Sequence, residues 1–394
     1  MTTSATLKEP SDFSLVLGGP LYQMLWRAHL SGSVLELLGR RALVITLFAW
    51  LPLLLLSAFE GRLFGSQNLN FLYDIESHVR LLIALPLLIL AELIVHRRIG
   101  PVVKGFLERG VVTVVDTPKF SAAIGAATRT RDSLWLEFGL MLFVLTVGHW
   151  IWRQGVALRA ASWYATPDRT GIHLTLAGYW FCFVSIPFFQ FILLRWYLRL
   201  AIWFQLLWRV SRLNLRLLPT HPDRAGGIGF LGRSSYAFAP ILFAQGTLLA
   251  GLIASRVLYQ GESLMSFKLS LIALVGFFVL VILGPLIVFT PELARAKRRG
   301  LSEYGTLAAV YVADFHEKWV RGGARGEDIM GTADIQSLAD LGNSYAVVRE
   351  MRLVPFALND VVRLAITTAA PALPLLLTIM PLEELVTRLL KTIF

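Results

Sequence analysis

The sequence predicts an all-α, multi-pass transmembrane helical bundle, and three observations lead to this fold class. Of the 394 residues, 56% are hydrophobic and only 16% are charged, which is more apolar surface than a soluble chain of this length could bury. Seven apolar stretches are each long enough to cross about 30 Å of hydrocarbon. Lysine and arginine are concentrated in every second segment between those stretches, a pattern typical of membrane proteins.

The seven predicted spans differ in how clearly the sequence defines them. They cover residues 42–60, 79–96, 136–153, 174–194, 237–257, 269–290 and 361–380. The first six are well defined, whereas the seventh contains Pro371 and Pro374 and is either a span or a re-entrant hairpin. Proline removes a backbone hydrogen bond, so several other spans are expected to be kinked. Those kinks are expected at Pro187, Pro240 and Pro285.

The basic residues also predict the orientation and organisation of the chain. They place the N-terminus in the cytoplasm, and seven spans then leave the C-terminus outside. No pattern typical of a cleaved signal peptide precedes the first span. The expected regions are a cytoplasmic segment with an interfacial helix (1–41), a six-helix bundle (42–290), a small cytoplasmic helical subdomain (291–360), and a seventh span or hairpin followed by an amphipathic helix (361–394).

The net charge of +11 fits this topology. The expected partners are therefore a lipid bilayer and its anionic lipids, not a nucleic acid. The basic stretch 195–217 alternates arginines such as Arg195 and Arg199 with tryptophans. It reads as a long fourth helix whose arginines reach out to the membrane surface, with a specific anionic-lipid site as the alternative.

The subdomain at 291–360 is expected to consist of two helices on either side of the stretch RGGARGEDIMG. Its second helix carries an apolar stripe of Leu338, Leu341, Tyr345 and Val348. This stripe packs either against the sister helix or against another copy in a homo-oligomer.

The loop LPTHPDRAGGIGFLGRSS, residues 218–235, suggests a candidate binding site. Its His-Pro-Asp turn and its G-x-G-x-x-G spacing both lack the surrounding structure that a J-domain or a dinucleotide fold requires. The backbone N–H groups of a glycine-rich loop can bind an anion such as a lipid headgroup. The predicted anion- or headgroup-binding residues are Arg224, Gly227, Gly229, Arg233 and Ser234. The alternative is a tight connector between two helices.

The stretches HPDRAGGIGFLG and ADIQSLADL resemble an uncharacterised family of bacterial multi-pass inner-membrane proteins. The resemblance covers most of the chain from about residue 40. It implies the membrane topology described above and a bacterial inner membrane as the location, and it carries no activity, cofactor or catalytic residue with it.

Polar groups within the spans point to transport as the leading functional hypothesis. Gln190 and Gln245 are the main polar side chains at mid-depth, and no charged residue lies clearly at the centre of a span. A proton- or sodium-coupled carrier usually needs such a carboxylate. The hypothesis is therefore a channel or an uncoupled transporter for a small solute or a lipid, with Gln190 and Gln245 lining its pathway.

The histidines suggest a second hypothesis. His78, His149 and His173 lie at the outer ends of successive spans, where imidazoles could bind a metal ion or a haem iron. The alternative is that these histidines are merely tolerated at headgroup depth. A third hypothesis is a non-catalytic assembly factor or sensor that docks a partner through 291–360. No HExxH, GxSxG or Walker A motif is present, so an enzyme is not expected.

Overall fold

The computed structural model describes residues 13–19, 37–65, 69–151, 162–168, 171–322 and 333–378. It is an all-α structure with seven helices long and apolar enough to cross a membrane, so the predicted fold class is confirmed. The expected interfacial helix before residue 37 and the amphipathic helix after residue 381 lie outside the described residues, as does most of the RGGARGEDIMG stretch.

Seven of the helices are the candidate membrane spans. They are α1 (Leu38–Phe59), α2 (Ile75–Glu108), α4 (Leu134–Ile151), α5 (Leu176–Ser211), α6 (Phe230–Gln260), α7 (Leu264–Val320) and α9 (Leu358–Thr378). Two further helices, α3 (Thr117–Arg131) and α8 (Ala333–Arg349), have 15 and 17 residues and are too short to be candidate spans. Each span contains the stretch predicted from hydropathy or most of it. The helices α2, α5 and α7 continue well past that stretch, because polar residues prolong the same helix beyond the apolar segment.

One end of the bundle carries a short β-hairpin, which the sequence did not predict; we call it the hairpin end. Its strands β1 (Ala165–Asp168) and β2 (Gly171–Leu174) are antiparallel, with Ala165 opposite Leu174. Trp163 anchors the hairpin: its ring is 4.9 Å from Phe71 and its Nε1 donates to the Asp74 carboxylate at 2.9 Å. The described part of the connection between α4 and α5, residues 162–168 and 171–175, therefore packs on the end of the bundle.

At the opposite end, the basic end, the extensions of α2, α5 and α7 project beyond the apolar layer. The helix α8 folds back along α7, and its stripe residue Val348 is fully buried there. Asp334 accepts hydrogen bonds from Lys318 and Trp319, both at 3.0 Å. The apolar stripe thus packs against the sister helix, and a homo-oligomer stays a prediction.

The helix α6 is the most enclosed of the seven apolar helices and packs against α2, α7 and α9. Glycines allow this close packing, because Gly251 lies against Val79 of α2 and Gly246 lies against the backbone of Thr368 in α9. The helix α9 is therefore an integral part of the bundle. It runs without reversal to Thr378, its last turns being 3-10 helix around Pro374.

Candidate functional site: a buried arginine cluster

Five charged side chains meet inside the bundle, which hydropathy had not suggested. We call them the arginine cluster: Arg41 of α1, Glu92 of α2, Glu137 of α4, and Arg195 and Arg199 of α5. All five are at most 8% exposed. Arg195 and Arg199 were expected to reach out to the membrane surface; the structure shows instead that both are buried and paired. The reason is that Glu92 of α2 points between the helices and offers them a carboxylate.

Glu92 is the centre of the cluster. Its carboxylate accepts hydrogen bonds from Arg41 and, at 2.9 Å, from Arg199, and it lies 3.6 Å from Arg195. Arg195 Nε also donates to Glu137 Oε1 at 2.9 Å. Among the described residues, three guanidinium groups thus face two carboxylates, a balance of one positive charge. Arg195 lies about 29 Å along α5 from Leu176, so the cluster is at the basic side of the apolar layer.

Residues 13–19, which we call the N-terminal segment, cover the cluster from the basic end. Leu15 and Val16 are at most 1% exposed, although the segment is not helical. Its backbone carbonyls accept hydrogen bonds from the cluster: Val16 O from Arg199 at 3.5 Å and Gly18 O from Arg195 at 3.4 Å. Neutral carbonyl oxygens therefore accept guanidinium N–H groups in addition to the two carboxylates of the cluster.

Ser14 fixes the N-terminal segment on two further helices. Its side chain hydrogen-bonds His96 Nδ1 of α2 at 2.9 Å, and its carbonyl accepts from Arg131 of α3. Gly18 and Gly19 have positive φ, and a Cβ on Gly18 would overlap the side chains of Arg131 and Asp132. The segment is thus held by hydrogen bonds to α2, α3 and α5 at once.

Four buried polar atoms lie at separate levels between the cluster and the hairpin end; we call them the polar track. Along the part of the chain that the structure describes, its four atoms are buried and have no hydrogen-bond partner: Arg41 Nε, Thr46 Oγ1, Ser57 Oγ and His78 Nε2. The first three lie on α1, with Arg41 and Ser57 about 24 Å apart along the helix. Nearly every buried polar atom in a protein has a partner, so such a series needs an explanation.

His78 is the member of the polar track at the hairpin end. Trp50 Nε1 donates to its Nδ1 at 3.0 Å, which assigns the proton of a neutral imidazole to Nε2. Its ring lies 4.9 Å from Phe71. His149 stacks on Phe183 at 5.3 Å, and His173 is exposed on β2. Each predicted metal ligand thus has a different environment.

The acidic side chains near these histidines have other roles. Glu60 accepts the N–H of Leu176 at 2.9 Å and caps α5, and Asp74 accepts from Ser77 and Trp163. Among the described residues, no group of three or more His, Cys, Asp or Glu side chains is arranged to hold a metal ion. A metal or haem site stays a prediction.

The two predicted pathway glutamines lie in separate helix contacts. Gln190 Nε2 donates to Gly148 O of α4 at 3.2 Å, and Gln245 is 6% exposed within α6. In the described structure, Gln190 Oε1 and Gln245 Nε2 are buried without a hydrogen-bond partner. Their place in a pathway stays a prediction.

The loop 218–235 is organised around Asp223, a residue that the sequence interpretation had not singled out. The Asp223 carboxylate accepts the N–H groups of Ala225 at 2.8 Å, Gly227 at 3.1 Å and Gly229 at 2.8 Å. Burial alone would raise the pKa of Asp223, but these three backbone donors and the nearby His221 hold it below its usual value. The sequence contained a signal for this role of Asp223, because the side chain of an Asp in a turn often hydrogen-bonds the backbone N–H groups that follow it.

The other predicted anion ligands of this loop are also engaged or exposed. Arg224, with φ of 54°, pairs with Glu350 at 3.0 Å, and Ser234 Oγ donates to Leu231 O. Arg233 is exposed. Because the amides of Gly227 and Gly229 already bind Asp223, the loop has the geometry of a self-contained connector. Binding of an external anion there stays a prediction that would require Asp223 to move.

The arginine cluster, the N-terminal segment and the polar track together form the candidate site. The sequence did contain a signal for the cluster: one glutamate in the apolar run 79–96, and two arginines spaced one helical turn apart at 195 and 199. Comparison of the chain with protein-family models, with curated proteins and with solved structures finds no match.

Proposed function

We propose that this integral membrane protein is a channel or uncoupled transporter that conducts a small inorganic anion along the polar track. The observation that carries the proposal is the series of four buried, unpartnered polar atoms that ends at a cluster with excess positive charge. Buried polar atoms without protein partners are where water or a passing solute binds. Arginines at one end select for anions.

The charges of the cluster favour uncoupled movement. Glu92 and Glu137 are both ion-paired with arginines. Both carboxylates are occupied by guanidinium groups, so neither is free to bind a carried cation. The N-terminal segment covers the cluster, and its carbonyl oxygens accept hydrogen bonds from the arginines. During conduction the anion must therefore replace these carbonyl oxygens as the acceptor for the guanidinium groups.

The first experiment measures anion flux in proteoliposomes, with nitrate and inorganic phosphate as probes and potassium as the comparison. Thr46→Val removes one unpartnered hydroxyl of the polar track at nearly constant volume. We expect flux to fall several-fold while thermal stability is maintained or rises, because the buried hydroxyl had no partner. Thr247→Val is the matched control: this buried threonine of α6 donates to Phe243 O at 2.7 Å and lies off the track, so flux should be unchanged.

A second variant tests the excess charge. Replacing Arg41, Glu92 and Arg199 together by methionine leaves the Arg195–Glu137 pair and removes the net charge. Replacing buried ion pairs by apolar side chains is often neutral for stability, so the variant should fold and lose anion flux. Wild-type vesicles with no anion flux above empty vesicles, or a triple variant with full flux, would overturn the proposal.

A further inference from the structure

An apolar groove lies between α5 and α7 on the outer surface of the bundle. It has a volume of about 650 Å³, and its walls include Tyr197, Ala201 and Phe204 of α5 and Phe277, Leu280 and Gly284 of α7. Its lining is almost entirely apolar, so it offers a hydrocarbon chain the same contacts as a protein core does. The volume falls within the range of ligand-binding pockets.

A smaller polar pocket of about 180 Å³ lies between the same two helices, further toward the basic end. It is lined by Trp208 and Ser211 of α5, by Arg212 directly after that helix, and by Glu292 and Arg295 of α7. Arg295 pairs with Glu292 at 2.8 Å. Arg212 rests on the Trp208 ring at 5.3 Å and, in the described part of the chain, has no carboxylate partner.

The groove and the pocket are parts of one continuous surface. On α5 the lining residues recur at helical spacing, from Tyr197 through Ala201, Phe204 and Trp208 to Arg212 directly after the helix. On α7 the same face runs from Phe277 to Arg295. The groove is open where α7 becomes 3-10 helix at Gly284–Phe289, because Gly284 has no side chain to fill it.

We propose that this surface binds one anionic glycerophospholipid, with an acyl chain in the apolar groove and its phosphate at Arg212. The sequence of contacts matches the molecule: an apolar channel beside the apolar stretch 269–290 of α7, then Trp208, then the Arg212 guanidinium, which has no carboxylate partner among the described residues. The two arginines and one glutamate of the pocket carry one excess positive charge, complementary to a single phosphodiester. This site lies on the outside of the bundle and does not depend on anion conduction.

The experiment measures thermal unfolding of the full chain in detergent with added palmitoyl-oleoyl phosphatidylglycerol or with phosphatidylcholine of the same chains. A ligand that binds the folded protein and not the unfolded chain raises the unfolding temperature. The anionic lipid should raise it more than the zwitterionic one, because the pocket carries an excess positive charge. Arg212→Gln should abolish that difference. Arg209→Gln, which removes the same charge from an exposed position of α5 outside the pocket, should preserve it.

The acyl-chain contact is tested by Gly284→Leu, which fills the groove. A side chain is tolerated there, since a Cβ on Gly284 would meet only Leu280 at 3.7 Å. The variant should keep its basal unfolding temperature and lose the response to phosphatidylglycerol. Inorganic phosphate alone should give no shift. An equal response to both lipids, an unchanged response in Arg212→Gln or Gly284→Leu, or full stabilisation by inorganic phosphate would each overturn the proposal.

Discussion

A single carboxylate, that of Glu92, organises the buried charges of this protein. It contacts guanidinium groups from α1 and α5, so its loss leaves Arg41 and Arg199 buried without a counter-charge. Breaking a buried pair in this way costs about 3–5 kcal/mol, far more than an exposed pair contributes. We expect Glu92→Gln to lower the free energy of unfolding by that amount, measured by denaturant titration in detergent micelles.

Glu317→Gln is the control for Glu92→Gln. It removes an ion pair with Arg321 in which both side chains are about two-thirds exposed, so it should change stability by less than about 1 kcal/mol. Equal effects of the two substitutions would contradict a central role for Glu92.

Asp223 provides a pH-dependent prediction. Its pKa is lowered in the folded chain, so the stability that it contributes is present above the ordinary value of 3.8 and is lost as the pH falls through the folded pKa. Asp223→Asn should therefore be less stable than the wild type by about 1–3 kcal/mol at pH 6. The difference should shrink below pH 3.8, and thermal unfolding of both proteins from pH 6 to pH 3 measures it. A difference that stays constant across this range would contradict the role of the carboxylate.

At the residue scale, the sequence predicts which positions are charged but not which charges meet. Arg195 and Arg199 were placed correctly on a helix, yet their burial depends on Glu92, more than 100 residues earlier in the chain. Helical periodicity carries no information about such distant partners. The same limit applies to Asp223, whose local turn was predictable, whereas the hydrogen bond from Arg352 to its carbonyl at 2.7 Å was not.

At the scale of elements, the contact between α6 and α9 gives a test of the seventh span. A Cβ on Gly246 would overlap the carbonyl oxygen of Thr368, and neither backbone can move aside easily. Overpacking of this kind costs about 1–3 kcal/mol or more. Gly246→Ala should therefore destabilise the protein, as measured by its thermal unfolding.

Gly276→Ala is the control for Gly246→Ala, because nothing lies within 4 Å of the Cβ that it would add to α7. Replacing an unconstrained helical glycine by alanine is neutral or stabilising by about 0.5–1 kcal/mol. If Gly246→Ala behaved in the same way, α9 would not pack on α6 as described.

Elements were predictable where hydropathy defines them. All seven spans were found, and their limits near the hairpin end differ from the structure by a few residues. At the basic end the limits were too short, because hydropathy detects where a helix leaves the apolar layer rather than where it ends. The β-hairpin was missed since its strands have only four residues each. The N-terminal segment was missed because nothing in its composition shows that its carbonyls bind arginines.

At the scale of the whole molecule, α7 connects the two ends of the protein. Its 57 residues are about 85 Å long, nearly three times the thickness of the hydrocarbon layer. The polar track has Arg41 toward the basic end, and the polar pocket beside the apolar groove has Arg212 and Arg295 there. The positive-inside pattern predicts that this end faces the cytoplasm. The orientation of α7 therefore determines which side of the membrane lies nearer to the arginine cluster.

Cysteine labelling tests this orientation on α7 itself. The only cysteine, Cys182, is 2% exposed and gives little background. Met265→Cys places an exposed thiol at the hairpin end of α7, and Ser302→Cys places one beyond the apolar layer at the basic end. A membrane-impermeant maleimide added to intact cells should label position 265, and it should label position 302 only after permeabilisation. The reverse pattern would invert the topology, and labelling of both positions in intact cells would mean that α7 does not cross the membrane.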